Sequence, residues 1–466
     1  MKSKSIIYRI ICLCLLICRF AIPSDAIAAP QIMKEEPEGV YCDSVDGIRA
    51  KAIGIYIEEV ATGKVVYDVN GEVPMVPASI TKVVTAASYF SKEDINRQFI
   101  TNVYLEGVVS DSVLTGNIII AGDGDPTLES RHFKGQAGMP DSVAAVLKRR
   151  GITRVTGRVI VERPDWIGTT QPKGWESADF TWGYGAGYQP VNFADNTMTV
   201  TLSRNEMPEC NPCSPGSTFH RITGKGSRVE RKRDSAEYTF SHSGRKPNVT
   251  TIANGDPESS LIYAVIKSIE SEGIELEEED VTTESSEREL LLTHRSAPMG
   301  EILESLLLRS DNMMAEAMLR QLAPGESRAD ALAVQKKMWS TRDIDYRDIV
   351  IEDGSGLSRT NRITPYFMAD VLIWMLENRD DFMTFCNYLP LSGKSGTLRS
   401  FLKDTPLEGR LRAKTGSMNG VQCYAGYATD ELGVPTHIVV IMVNGFECDR
   451  AVLKKYLERV LIEKIG

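Results

Sequence analysis

The sequence predicts an α/β (α+β) protein: an antiparallel sheet flanked by helices, interrupted by a β-rich insertion. Three observations predict it. Residues 52–60 (AIGIYIEEV) and 64–69 (KVVYDV) read as a hairpin across Thr62-Gly63, and the chain closes strand, strand, helix over 421–428, 436–443 and 449–463. From 298 onward helical periodicity dominates, whereas the block from about 100 to 290 carries short β-like runs between turn residues. A chain that begins with a hairpin and ends with two strands and a helix can close one antiparallel sheet from both ends.

The first residues read as an export signal over 1–28: a basic start (Lys2, Lys4, Arg9), a short apolar run over 10–17, and Ala26-Ile27-Ala28 as the small-x-small cleavage pattern. The apolar run falls short of the roughly 20 residues a membrane span needs. The whole chain carries −10; losing four cations (Lys2, Lys4, Arg9, Arg19) and one anion (Asp25) with the signal leaves −13. That balance argues against a nucleic-acid partner. At about 100–200 residues per domain, the remainder fits two or three domains. Six cysteines remain (Cys42, Cys210, Cys213, Cys386, Cys423, Cys448), an even number that permits disulfides without fixing their pairing. Cys210-Asn211-Pro212-Cys213 lacks a second pair for a tetrahedral zinc site and reads as a local disulfide or inert thiols. No metal or cofactor is expected.

After the hairpin comes Val76-Pro77-Ala78-Ser79, then an apolar-periodic helix over 80–90, with proline suited to its start. Strands are expected at 101–109, 113–120, 153–161 and 197–203. The charged run 224–245 reads as solvated loops or a small β insertion, and 259–273 as an amphipathic helix. Helices follow at 301–309, 313–323 and 329–339, then a loop at 354–358 and helical segments at 365–377 and 379–388.

A serine hydroxyl needs a nearby base to act as a nucleophile. The sequence holds five histidines but no G-x-S-x-G elbow and no H-E-x-x-H. Ser79-Ile80-Thr81-Lys82 offers another route, since residues i and i+3 share a helix face. Burial and a neighbouring cation would lower the lysine's pKa toward the neutral base, and the helix N-terminus stabilises negative charge developing at Ser79. Alone, S-x-x-K is a common accident. Ser310-Asp311-Asn312, in a short loop between two apolar helices, and Lys414-Thr415-Gly416-Ser417, ahead of the terminal strands, complete a set. Gly416 is expected to let a substrate backbone approach a strand edge. Two decoys compete: Ser203-Arg204-Asn205 lies in the charged insertion, and Lys394-Ser395-Gly396-Thr397 leads into no clear strand.

The order S-x-x-K, S-x-N, K-T-G is that of acyl-serine penicillin-interacting enzymes. With Pro77-Ala78-Ser79-Ile80-Thr81-Lys82, Gly122-Asp123-Gly124-Asp125-Pro126-Thr127-Leu128, Ser310-Asp311-Asn312-Met313-Met314-Ala315-Glu316, Asp353-Gly354-Ser355-Gly356-Leu357-Ser358-Arg359, Leu389-Pro390, Gly396-Thr397-Leu398 and Ala413-Lys414-Thr415-Gly416-Ser417, the chain resembles the D-alanyl-D-alanine carboxypeptidase/endopeptidase family of class C low-molecular-mass penicillin-binding proteins. The long gap between Ser79 and Ser310 fits that family, which inserts whole domains there.

The resemblance implies a β-lactamase/transpeptidase-like domain from 35–98 and 297–466, with 99–296 inserted and a third domain nested near 165–250. It implies that Ser79 attacks the penultimate D-Ala carbonyl of a peptidoglycan stem peptide, or the equivalent carbonyl of a cross-link, with Lys82 as base. Ser310 would relay a proton to the leaving amine, Asn312 would orient the substrate amide and Lys82, and Lys414 and Thr415 would hold the terminal carboxylate. The backbone amides of Ser79 and Ser417 would hold the oxyanion. It further implies a periplasmic enzyme without cofactor, trapped covalently by β-lactam antibiotics. A non-hydrolytic wall-binding protein and a β-lactamase are the competing readings, the latter lacking an identifiable deacylating glutamate. Asp123 and Asp125 read as a turn rather than a calcium site, 353–356 as a loop buttressing the cleft, and Trp175, Trp182, Tyr184 and Tyr188 as packing rather than sugar-stacking residues.

Overall fold

Ile53, Ile55 and Ile57 alternate along the strand Ala52–Glu59 and pack with Leu453, Leu457 and Leu461 of the C-terminal helix Arg450–Ile465. Tyr56, on the opposite face, joins a second and larger core with the helices Thr81–Lys92, Met299–Arg309, Asn312–Arg320 and Pro365–Asn378. One sheet thus separates two apolar layers in the computed structural model, which describes residues 42–45, 48–277, 279 and 288–466. The signal read over 1–28 lies outside the described residues.

That sheet runs Leu411–Met418, Val421–Thr429, Pro435–Asn444, Ala52–Glu59, Lys64–Val69, each neighbour antiparallel. Early and late segments meet in it, with Val440 opposite Tyr56. The sequence placed Lys414–Ser417 ahead of the terminal strands; it is itself a strand, at one end of the sheet order.

Between the Ser79 helix and Ser310 lies a second sheet of six strands. Ile100–Ser110, Val113–Gly122 and Arg288–Arg295 run antiparallel, while Arg154–Thr156 and Val159–Glu162 run parallel to Val113–Gly122. The single strand expected over 153–161 breaks at Gly157, where a Cβ would come within 2.0 Å of the Gly116 carbonyl oxygen. Val103, Leu105, Ile118 and Ile120 pack under Met139–Arg149 and Pro257–Ser271. The first of these helices escaped the sequence reading, although Met139, Val143, Ala144 and Leu147 recur on one helical face.

Two three-stranded sheets follow: Glu209–Asn211, Thr197–Leu202, Asn248–Ala253; and Thr218–Arg221, Glu237–His242, Ser227–Arg231. They share a core of Met198, Val200, Tyr238, Phe240 and Ile252, so 224–245 is a small β lobe rather than solvated loops. Cys210 and Cys213 carry free thiols, as do Cys386, Cys423 and Cys448, so the local disulfide does not form. Burial pushes the Cys210 thiol up to about 11, which keeps it inert. Among the described residues no helix is long and apolar enough to cross a membrane.

Candidate active site

Ser79 sits in the 3₁₀ turn Ala78–Ile80 that opens the helix Thr81–Lys92. Ala78 takes a left-handed φ of 48°, costly for a residue with a Cβ, so its surroundings must hold it. Asn444 clamps the approach: its amide oxygen accepts from the Val76 N–H at 2.7 Å and its amide nitrogen donates to the Val76 carbonyl at 3.1 Å. The Thr81 hydroxyl donates to the Ala78 carbonyl at 2.9 Å.

Two glycines allow this segment its place. A Cβ on Gly416 would lie 2.5 Å from the Pro77 carbonyl oxygen, and one on Gly356 only 2.0 Å from that of Ala78. Gly416 was expected to serve the approach of a substrate backbone; in the structure it also makes a close contact with the turn that carries Ser79.

Lys82 lies one helical turn on, with no exposed surface. Its Nζ stands 3.1 Å from Ser79 Oγ and donates to Asn312 Oδ1 and the Ser355 carbonyl, each at 2.6 Å. Burial lowers its pKa to about 8, against the attraction of Asp353, Asp311 and Glu316.

Ser310 ends the helix Met299–Arg309 in a left-handed conformation (φ 63°, ψ 39°), and Asp311 caps the next helix by accepting from the Met314 N–H at 2.9 Å. The two caps turn the chain so that Asn312 faces Lys82 while its amide nitrogen donates to the Tyr184 carbonyl at 2.8 Å. Lys414, also fully buried, donates to Ser310 Oγ at 2.9 Å and to the Thr415 carbonyl at 2.7 Å. Burial, then the Lys82 charge, hold its pKa well below the ordinary lysine value. Two buried lysines, each against a serine hydroxyl, therefore face one another electrostatically. Thr415 is half-buried and Ser417 exposed on the same strand.

Further residues complete the site, and of these Glu316 and Arg450 had no role in the sequence reading. Glu316 is buried; its carboxylate accepts from the Gly354 and Ser355 N–H groups at 2.9 and 3.0 Å and pairs with Arg328 at 3.1 Å. Burial raises its pKa to about 7. Asp353 accepts from Gly356 N, Ser358 N and the Trp175 indole at 2.9, 2.9 and 2.7 Å. The loop 353–356 does buttress the cleft, through the Ser355 carbonyl that accepts a hydrogen bond from Lys82 Nζ. Arg450 reaches Ser417 Oγ at 2.6 Å and the Met418 carbonyl at 2.6 Å, fixing the end of the Lys414 strand. A cation in a helix's first turn opposes the dipole, and that misplacement was the one available signal.

The decoys fall away. Arg204 and Asn205 are exposed beyond Thr197–Leu202, and Lys394 pairs with Glu408 at 2.5 Å on the surface. Asp125 makes a turn contact, accepting from Thr127 N at 2.7 Å, whereas Asp123 accepts at 3.0 Å from Ile100 N at the start of the strand Ile100–Ser110. Trp175 and Tyr188 are buried as packing residues, but Trp182 and Tyr184 are 43% and 51% exposed.

The arrangement suits acyl transfer. A neutral amine has two N–H groups and one lone pair. With the N–H groups on Asn312 Oδ1 and the Ser355 carbonyl, the lone pair is left for the Ser79 proton.

Comparison with known proteins agrees with this chemistry. The D-alanyl-D-alanine carboxypeptidase DacB of Haemophilus influenzae is 26% identical over 454 residues, covering 92% of this chain and 90% of its own. Penicillin binding protein 4 (dacB) from the same organism has a crystal structure that matches with a TM-score of 0.74 at 24% identity, over 88% of this chain and 96% of that one. Its complex with a novel β-lactam matches with a TM-score of 0.70 at 23% identity over the same shares. Residues 42–460 match the D-Ala-D-Ala carboxypeptidase 3 (S13) family. The chain belongs to that family, and is a D-Ala-D-Ala carboxypeptidase.

Proposed function

We propose that Ser79 attacks the penultimate D-Ala carbonyl of a peptidoglycan stem peptide and forms an acyl-enzyme that water hydrolyses. The observation that carries this is the Lys82 amine, buried and 3.1 Å from Ser79 Oγ, with both carbonyl acceptors in place. Lys82 takes the Ser79 proton. The backbone amides of Ser79 and Ser417 hold the oxyanion, worth about 3–4 kcal/mol per donor. Ser310, against Lys414, returns a proton to the leaving D-Ala amine. Asn312 orients Lys82 and the substrate amide, and Lys414 with Thr415 binds the terminal carboxylate. The same carbonyl class makes a D-Ala cross-link a second substrate, so endopeptidase activity belongs to this reading.

In this reading the catalytic domain spans 35–98 and 297–466, of which 35–41, 46 and 47 lie outside the described residues, and 99–296 is an insert, with a nested lobe near 165–250. Residues 1–28 export the chain to the periplasm, where its substrate lies. A β-lactam, presenting a carbonyl that Ser79 can open, is a covalent inhibitor; the complex of the Haemophilus influenzae protein with a β-lactam supports this.

Labelled penicillin and a muropeptide ending in D-Ala-D-Ala test the proposal. Wild type acquires label and releases D-Ala; Ser79→Ala does neither. A wild-type protein that takes no label and frees no D-Ala overturns it.

A further inference from the structure

The nested lobe departs in charge from the rest of the chain. Residues 218–248 hold eight Lys and Arg against three Asp and Glu, a net +5, whereas the whole chain carries −10. Lys225, Lys232, Arg245 and Lys246 are exposed.

The three-stranded sheet explains how one face comes to be polar. Phe219, Tyr238 and Phe240 turn inward, with Phe219 and Tyr238 stacked at 4.7 Å between ring centroids. Strand alternation then puts His220, Thr239 and Glu230, which stand in register across the three strands, on the other face. That face forms one wall of a cavity of about 690 Å³, lined also by Arg228, Lys232 and Trp182. A volume of this size holds a ligand of a few hundred daltons. Glu237 faces it as well, and Glu230 is paired with Arg228.

The cavity adjoins the cleft by the chain itself. Trp182 is two residues from Tyr184, whose carbonyl holds Asn312; two residues reach about 7 Å at most. Nothing in the acyl-transfer chemistry uses Trp182, His220, Lys232 or the cavity.

We propose that this lobe is a second, non-catalytic binding site for the peptidoglycan polymer. Lys232 and the neighbouring cations would take free carboxylates of stem peptides, and Trp182 would stack on a sugar ring. A flat indole face suits a saccharide's C–H face, and exposed cations supply salt-sensitive attraction to a polyanion. The inference rests on the peptidase reading and deepens it: the enzyme holds the wall strand with the lobe while the cleft cuts.

The test uses the full chain and two substrates, a soluble peptide ending in D-Ala-D-Ala and intact sacculi. Lys232→Glu/Lys246→Glu and, separately, Trp182→Ala should release D-Ala from the soluble peptide at the wild-type rate. From sacculi they should release it about tenfold more slowly, as expected when a second anchoring contact is lost. Sedimentation with sacculi, in the Ser79→Ala background, should weaken in both variants and with rising salt. Equal wild-type and Lys232→Glu/Lys246→Glu rates on sacculi overturn the proposal. So does binding by the lobe to phosphatidylglycerol vesicles in place of sacculi. If Trp182→Ala also slows soluble-peptide cleavage, the cleft has moved and the lysine variant alone decides. If wild type releases no D-Ala from either substrate the peptidase reading fails, yet sedimentation still decides the surface.

Discussion

At the scale of single residues, the site turns on one amine. In the proposed mechanism Lys82 must be neutral to accept the Ser79 proton, and its pKa is lowered from 10.5 to about 8 by burial. A lowered lysine pKa means that the active form grows as pH rises through that value. Acylation by penicillin should therefore climb roughly tenfold per pH unit below about 8 and level above it. Stopped-flow acylation across pH checks this, and a flat profile would contradict a lysine base. Lys82→Arg separates charge from basicity. A guanidinium can still donate to Asn312 and the Ser355 carbonyl but stays protonated. Label uptake should fall at least about a hundredfold, the lower bound for losing a positioned base, with the circular-dichroism spectrum unchanged.

At the scale of elements, a loop and a strand press on the Ser79 turn. Gly356 has φ 78° and no room for a Cβ, which would meet the Ala78 carbonyl oxygen at 2.0 Å. Gly356→Ala should cost at least about 1–3 kcal/mol of stability, from strain and overpacking together. It should also slow acylation about a hundredfold, since a displacement of about 1 Å at a reacting group has that effect. Thermal melts and label uptake measure the two separately. How legible these elements were in the sequence follows from what each depends on. The helices Met299–Arg309 and Asn312–Arg320 were readable because their apolar spacing is local. The strand Leu411–Met418 was not, because buried Lys414 breaks its apolar pattern. What makes that burial tolerable is Ser310, about a hundred residues away in sequence. Ser79, Lys82, Ser310, Asn312 and Lys414 could be picked out as a set, whereas the Ser355 carbonyl carries no side-chain signature and left no trace.

At the scale of the whole molecule, the long segment between Ser79 and Ser310 is built into the site. The stretch 169–184 supports it at four points. The Trp175 indole donates to Asp353 at 2.7 Å, and the Tyr184 carbonyl accepts from Asn312 at 2.8 Å. The Thr170 carbonyl accepts from Arg328 at 3.0 Å, and Glu176 pairs with Arg359 at 3.0 Å. Arg328 in turn holds Glu316, and Glu316 holds the loop whose Ser355 carbonyl accepts a hydrogen bond from Lys82. Trp175→Phe probes this link, because it keeps an aromatic ring and removes one donor from the buried Asp353 carboxylate. An under-satisfied buried acceptor costs about 1–3 kcal/mol, so the melting temperature should drop. If the insert braces the loop, penicillin acylation should slow as well, since the Ser355 carbonyl loses its fixed position. Were the loop held by Glu316 alone together with Asn361, whose amide nitrogen donates to Asp353 at 2.7 Å, Trp175→Phe would melt earlier yet acylate at the wild-type rate, and the Trp175 contact would have no part in setting the Lys82 amine.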